Sequence, residues 1–358
     1  MSYAVKAAGA AAALVASVAL LFTFERPPVD SVQVGYRGLG MEQVVNPRTI
    51  PATLARNEVP EVIAQVPAVG PKAGQVYRNI QVLGDLSVGE FARTMAAITT
   101  WVSPEQGCNY CHNPNNMASD EVYTKVVARR MLQMTARINK EWQSHVQQTG
   151  VTCYTCHRGN AVPTYSWYNN DRPPRAAGLA AGQAGQNLAA PSVGLASLPY
   201  DPFTPYLEQD ALVRVQTPAP RVAPVKPGIK DAEWTYGLMM HMSTSLGVNC
   251  TYCHNSRAWY SWEESPPTRT NAWHGIRMVR DLNNNYITPL QPEWAANPYG
   301  PPTGPVQPRL GPHGDPLKVN CGTCHQGAYK PLLGVSMLRD YPELNAITRL
   351  DAPPPIRQ

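Results

Sequence analysis

The chain has 358 residues, 43% hydrophobic and only 15% charged, a balance that excludes a charge-rich disordered polymer. Its formal charge is +5 and no run of Lys or Arg exceeds a pair, so the concentrated basic face that nucleic-acid binding uses is missing. Thirty-six prolines and 26 glycines predict long irregular connections, while only 4 phenylalanines leave an ordinary side-chain core thinly supplied.

Ala7 to Phe24 are uncharged and mostly apolar, between Lys6 and Glu25-Arg26-Pro27-Pro28. As a helix they reach about 27 Å, close to the hydrocarbon thickness of a bilayer. A cleaved signal peptide is the rival, but it needs small residues just past the apolar stretch. Leu20-Leu21-Phe22-Thr23-Phe24 supplies none, so residues 1–26 read as a retained transmembrane anchor that exports the remainder. The first cysteine is Cys108, which leaves no N-terminal thiol for lipid attachment. Residues 27–74 are punctuated by proline and read as an extended arm over a partner surface.

Ser87 to Trp101 read as a helix opened by a Ser87/Glu90 capping box, with Phe91, Met95 and Ile98 on one face. Cys108-Asn109-Tyr110-Cys111-His112 follows. Asp120 to Gln148 is a longer expected helix, carrying Met131, Met134, Ile138, Trp142 and His145 on nearly one face and closed by Gly150. Cys153-Tyr154-Thr155-Cys156-His157 comes next. Ala176 to Pro191 is rich in Ala, Gly and Gln, a flexible or irregular linker. Asp231 to Leu246 then repeats the first helix, with Met239, Met242 and Leu246 on one stripe and Gly247 at its end. It leads into Cys250-Thr251-Tyr252-Cys253-His254. The last motif is Cys321-Gly322-Thr323-Cys324-His325, and little regular structure is expected beyond Tyr329, where Pro331, Pro342 and Pro353 to Pro355 intervene.

All eight cysteines thus fall in four C-x-x-C-H motifs, the attachment signature of c-type haem: two thiols take the two vinyl groups and the histidine ligates iron. Paired C-x-x-C can also make four-sulfur zinc sites, but that reading does not need a histidine after each of the four pairs. Four covalent haems would fill the thin interior, and their propionates would add about eight negative charges. For the opposite face of each iron, Met95 lies 13 residues before its motif and Met239 lies 11 before its own. Met131 and His145 stand 14 apart on one helix, able to serve two different sites. Arg130-Met131 matches Arg277-Met278 in position, which suggests tandem duplication and leaves Met278 and His145 as rivals at the fourth site. The boundaries follow: 75–165 and 229–330 are two similar haem-pair modules, 166–228 the linker and 331–358 a tail. The fold class is mainly α with extensive coil. Trp259, Tyr260 and Trp262 are candidate contact residues or shields of a haem edge. Glu105, Asp120, Glu121, Lys125, Arg129 and Arg130 are mixed in sign and select no partner.

From Gln75 to Tyr329 the chain resembles the tetrahaem cytochrome c subunits of purple-bacterial photosynthetic reaction centres. The resemblance rests on the four motifs in order, on Met95 and Met239 at their spacings, and on the string from Arg130-Met131 through His145 to Thr149-Gly150-Val151-Thr152-Cys153 and His157-Arg158-Gly159. It implies thioether attachment at Cys108, Cys111, Cys153, Cys156, Cys250, Cys253, Cys321 and Cys324. It also implies three Met/His sites (Met95 with His112, Met131 with His157, Met239 with His254) and one bis-His site, His145 with His325, of lower potential. The haems would stand in a row, the third nearest the photo-oxidised pigment pair and the first nearest a soluble periplasmic donor, a small cytochrome c or a high-potential iron–sulfur protein. The implied activity is electron transfer to reaction-centre membrane subunits, with no catalytic residue and no nucleic acid. Some members carry lipid on an N-terminal cysteine, which this chain lacks. The alternatives are a membrane-anchored tetrahaem quinol dehydrogenase, a shorter family that leans on histidine ligands, and a multihaem reductase, which would need an open iron face.

Overall fold

The structure is a computed structural model and describes residues 2–24, 28–34, 41–169, 189–213, 228–304, 306–345 and 347. Helix α1 (Tyr3–Phe22) has 20 residues, about 30 Å of helix. None of them is buried against the protein, and the helix is long and apolar enough to cross a bilayer.

The arm is not simply extended. Strands β1 (Asp30–Val34) and β2 (Met41–Val45) pair antiparallel with Asp30 opposite Val45, followed by α2 (Ile50–Arg56). The alternation Asp-Ser-Val-Gln-Val has the period of a strand, which the proline count obscured. The hairpin is fastened to a distant part of the chain: Val44 N donates to Asn249 Oδ1, and Asn249 N to Gln43 Oε1 at 3.3 Å.

After the single turn α3 (Ala73–Val76), helix α4 (Val88–Val102) starts where its capping box predicts. Ser87 N donates to Glu90 Oε2 at 2.9 Å and Glu90 N to Ser87 Oγ at 3.3 Å. The next helix is shorter than its apolar pattern predicts. It divides into α5 (Tyr123–Glu141) and α6 (Gln143–Val146), broken at Trp142, whose φ/ψ of −108°/28° is non-helical. Side-chain contacts account for the later start and for the break. At the start, Thr124 Oγ1 donates to Tyr110 O while Asp120 is held by Arg129 at 2.8 Å, keeping Asp120–Val122 outside the helix. At the break, the Trp142 indole donates to Asp281 Oδ2 at 2.8 Å.

The one-turn helix α7 (Cys153–His157) packs on α4. In the second half, α8 (Ile229–Leu246) ends at Gly247, whose φ of +64° and close approach to the Gly327 carbonyl leave no room for a Cβ. It is followed by α9 (Thr268–Leu282), α10 (Gln291–Ala296) and α11 (Cys321–His325), and α11 packs on α8 as α7 does on α4.

Residues 170–188, which include most of the low-complexity stretch, lie outside the described residues. Residues 189–213 are packed: Phe203, Tyr206 and Leu207 share an apolar core with Ile138 and Trp142, with Leu238 and Met242 of α8, and with Val279 and Leu282 of α9. The segment after Tyr329 has only single turns of regular structure, yet it is packed. It forms the short helix α12 (Met337–Asp340) between 3-10 turns at Pro331–Gly334 and Pro342–Asn345. Leu332, Met337, Tyr341, Leu344 and Ile347 bury against Trp101 of α4 and Leu132 and Ala136 of α5. The fold is mainly helical, and the hairpin is the only named sheet among the described residues.

Candidate haem attachment and ligand sites

The four motifs adopt two local forms. Cys153–His157 and Cys321–His325 are one-turn helices that open on matching caps: Thr152 N donates to Thr155 Oγ1, and Asn320 N to Thr323 Oγ1, both at 3.0 Å. Both close on a left-handed residue, Arg158 at φ 50° and Gln326 at φ 48°. The other two are 3-10 turns at Gly107–Tyr110 and Cys250–Tyr252, each tied down by a threonine hydroxyl, Thr124 on Tyr110 O and Thr268 on Tyr252 O. In the two α-helical motifs, helical spacing puts a cysteine, the cysteine three residues on and the next histidine on one face.

All four motif histidines are oriented alike. Nδ1 contacts a backbone carbonyl: His112 on Met117 O at 3.0 Å, His157 on Asn160 O at 2.8 Å, His254 on Trp259 O at 3.1 Å and His325 on Ala328 O at 2.9 Å. A carbonyl only accepts, so Nδ1 carries the proton and Nε2 keeps its lone pair. That is the tautomer a metal-ligating imidazole needs, with its carbonyl partner fixing the ring. Burial pushes His325 down to about 4 and also lowers His145, His157 and His254, so these rings stay neutral. The residues therefore fit covalent haem. Among the described residues no three or more His, Cys, Asp or Glu converge as a metal cluster, so a four-sulfur zinc site has no ligand set. Burial raises Cys153 and Cys321 to about 12 and Cys111 to about 11, keeping these thiols protonated.

His145 on α6 comes from the first half of the chain and meets the last motif. Its ring centroid lies 6.2 Å from that of His325, with 64° between the planes. Two metal–nitrogen bonds of about 2 Å, together with the depth of the two rings, would span a separation of this size. Nδ1 of His145 is held by Asn271 Oδ1 at 2.8 Å and Asn271 O at 3.0 Å, again leaving Nε2 free. One turn further along α9, Gly275 faces the same ring, and a Cβ there would lie 2.6 Å from His145 Cε1. The rival Met278 is buried in the core with Trp142 and Leu282.

Met95, Met131 and Met239 are only partly buried at the edges of the two large cores, whereas Met134, Met242, Met278 and Met337 are buried within them. The remaining histidines stand apart from this pattern. His241 is buried against Phe203 with its Nε2 3.2 Å from Ser245 Oγ, and His274 lies against Trp273. The second and fourth motifs abut, with Cys156 Sγ and Cys324 Sγ 2.8 Å apart and Arg158 donating to Cys324 O at 3.0 Å. Asn271 and Gly275 were not singled out from sequence. The signal that could have marked Gly275 is an isolated glycine inside a helix, which costs about 1 kcal/mol against alanine.

A model of the family described as "Photosynthetic reaction centre cytochrome C subunit" matches residues 25–345. The chain is 53% identical to the photosynthetic reaction center cytochrome c subunit of Rubrivivax gelatinosus, across 92% of this chain and 87% of the relative. It is 50% identical to the Thermochromatium tepidum protein of that name, across 93% and 79%, and 39% identical to that of Roseobacter denitrificans, across 88% and 85%.

Proposed function

Since the chain belongs to the photosynthetic reaction centre cytochrome c subunit family, we propose that it re-reduces the photo-oxidised pigment pair of a membrane reaction centre through four covalently held haems. It is an electron-transfer subunit, not an enzyme, and covalently bound haem c follows from the family. Each bound haem supplies a one-electron Fe(III)/Fe(II) couple. The chain supplies attachment, axial ligands and spacing. Cys108 and Cys111, Cys153 and Cys156, Cys250 and Cys253, and Cys321 and Cys324 hold the four groups. The iron ligands would be Met95 and His112 for the first group, Met131 and His157 for the second, Met239 and His254 for the third, and His145 and His325 for the fourth. The observation that carries this reading is the common Nδ1–carbonyl orientation of all four motif histidines, together with the 6.2 Å approach of His145 to His325.

The motifs run first, second, fourth, third along the molecule. Support comes from the contact of the second and fourth motifs, and from the packing of α4 on α7 and of α8 on α11, which links each half's two motifs. The same repeated contacts support two haem-pair modules related by duplication. The third motif lies toward the membrane, because β2 bonds to Asn249, the residue before Cys250, and few residues separate β1 from the end of α1. On this reading the first motif faces the periplasm and the soluble donor, a small cytochrome c or a high-potential iron–sulfur protein.

Flash-induced absorbance changes in native membranes poised at graded redox potentials test the reading. Oxidation of a c-type haem within microseconds of the flash, lost on deletion of the chain, is expected. Haems that ignore light but are reduced by added quinol would overturn it in favour of a quinol dehydrogenase. A separate expectation concerns α1: with residues 2–24 exchanged for a cleavable export signal, the chain should wash off membranes lacking the other reaction-centre subunits. Retention in the membrane pellet would show that α1 is not the anchor.

A further inference from the structure

The first and third motifs share a local form, yet one buried cation distinguishes them. Lys125, on the first turn of α5, is 8% exposed, and its Nζ donates to three successive carbonyls: Met117 O at 3.0 Å, Ala118 O at 2.9 Å and Ser119 O at 3.0 Å. The first of these is the carbonyl that accepts from His112 Nδ1 at 3.0 Å. The counterpart of Lys125 in the second half is Arg269, since each follows the threonine that bonds its motif tyrosine carbonyl. Arg269 instead directs its hydrogen bonds to Ser261 O at 2.7 Å and Ser265 Oγ at 2.8 Å, and lies over the Trp262 ring. His254 relies on a different carbonyl, that of Trp259, at 3.1 Å.

We propose that Lys125 is a positioning residue that raises the reduction potential of the first site by sharing the Met117 carbonyl with His112. The inference rests on the reading above that His112 ligates iron. A carbonyl that accepts strongly from Nδ1–H makes the imidazole a better donor and favours the ferric state. An ammonium drawing on the same oxygen weakens that acceptor, so the imidazole donates less and the ferrous state gains. The positive charge acts in the same direction. It is damped, because Asp120 Oδ1 lies 3.4 Å from Nζ and is itself paired with Arg129. Sharing of the carbonyl is the part that the second half does not reproduce.

The test is redox titration of the haem-loaded full chain carrying Lys125→Gln, with Met95→Ala identifying which spectral component belongs to the first site. The near-infrared band of methionine ligation is recorded in parallel. In Lys125→Gln, the first-site component should become harder to reduce by about tenfold in its equilibrium constant, 59 mV for a one-electron couple. The other three components and the methionine bands should stay unchanged, and Lys125→Arg, which keeps the cationic donor, should stay close to the parent. An unmoved first component overturns the proposal. So does loss of methionine ligation or a shift spread over several components, since either would make Lys125 a structural brace. If Met95→Ala leaves every methionine band intact, it is the ligand assignment that falls.

Discussion

Gly275→Ala is expected to displace His145 from the proposed fourth haem site while leaving the other three proposed sites as they were. A helical Gly-to-Ala change ordinarily stabilises by about 1 kcal/mol through backbone entropy. Here the added carbon would lie 2.6 Å from His145 Cε1, 3.0 Å from Nδ1 and 3.2 Å from Nε2. Contacts that short cannot persist, and the imidazole has little freedom to yield, because Asn271 on the same helix holds Nδ1 from one turn away. The steric effect therefore outweighs the helical gain at this position. Electron paramagnetic resonance of the oxidised holoprotein should show one of four low-spin haems converted to high spin or to a new ligand set. A spectrum identical to the parent's would mean that His145 is not an axial ligand.

Arg93→Met should have the largest effect on stability. The guanidinium is buried between the N-terminal arm, α4 and the C-terminal segment. It pairs with Glu343 Oε1 at 2.7 Å, donates to Ile63 O, Ala64 O and Asp340 O at 2.8–3.1 Å, and lies 4.1 Å from the Tyr341 ring centroid. Removing it leaves a buried Glu343 whose Oε2 already has no hydrogen-bond partner. Breaking one side of such a pair typically costs about 3–5 kcal/mol, whereas replacing both members with apolar residues is often neutral. Denaturant unfolding of the detergent-solubilised holoprotein, followed by circular dichroism, should show that loss for Arg93→Met. The double variant Arg93→Met, Glu343→Leu should recover much of it. A double variant no more stable than the single one would show that the carbonyl contacts, rather than the stranded carboxylate, dominate.

The same guanidinium illustrates why the C-terminal segment was not legible in the sequence. Its prolines suggested irregular chain, and its regular structure is indeed limited to single turns. Nothing local announces that Tyr341 packs edge-on against Trp101, 240 positions earlier, with ring centroids 4.6 Å apart. The break at Trp142 is similar. The apolar period runs through it without interruption, and only Asp281 on α9 draws the indole out of helical geometry. The hairpin's attachment beside the third motif depends on Gln43 and Asn249, a pair that no short-range pattern links.

What the sequence determined by itself is what neighbours along the chain write: the four C-x-x-C-H motifs, the apolar N-terminal stretch, the Ser87/Glu90 cap and the Gly247 terminus. Helical period, capping and covalent attachment depend on neighbours along the chain, so residue order specifies them directly. Tertiary structure alone decided which motifs abut, that His145 crosses to face His325, that Gly275 and Asn271 form its seat, and that Lys125 reaches the carbonyl behind His112. Those are hydrogen bonds and close approaches between segments brought together by packing, and their geometry exists only once the helices have docked.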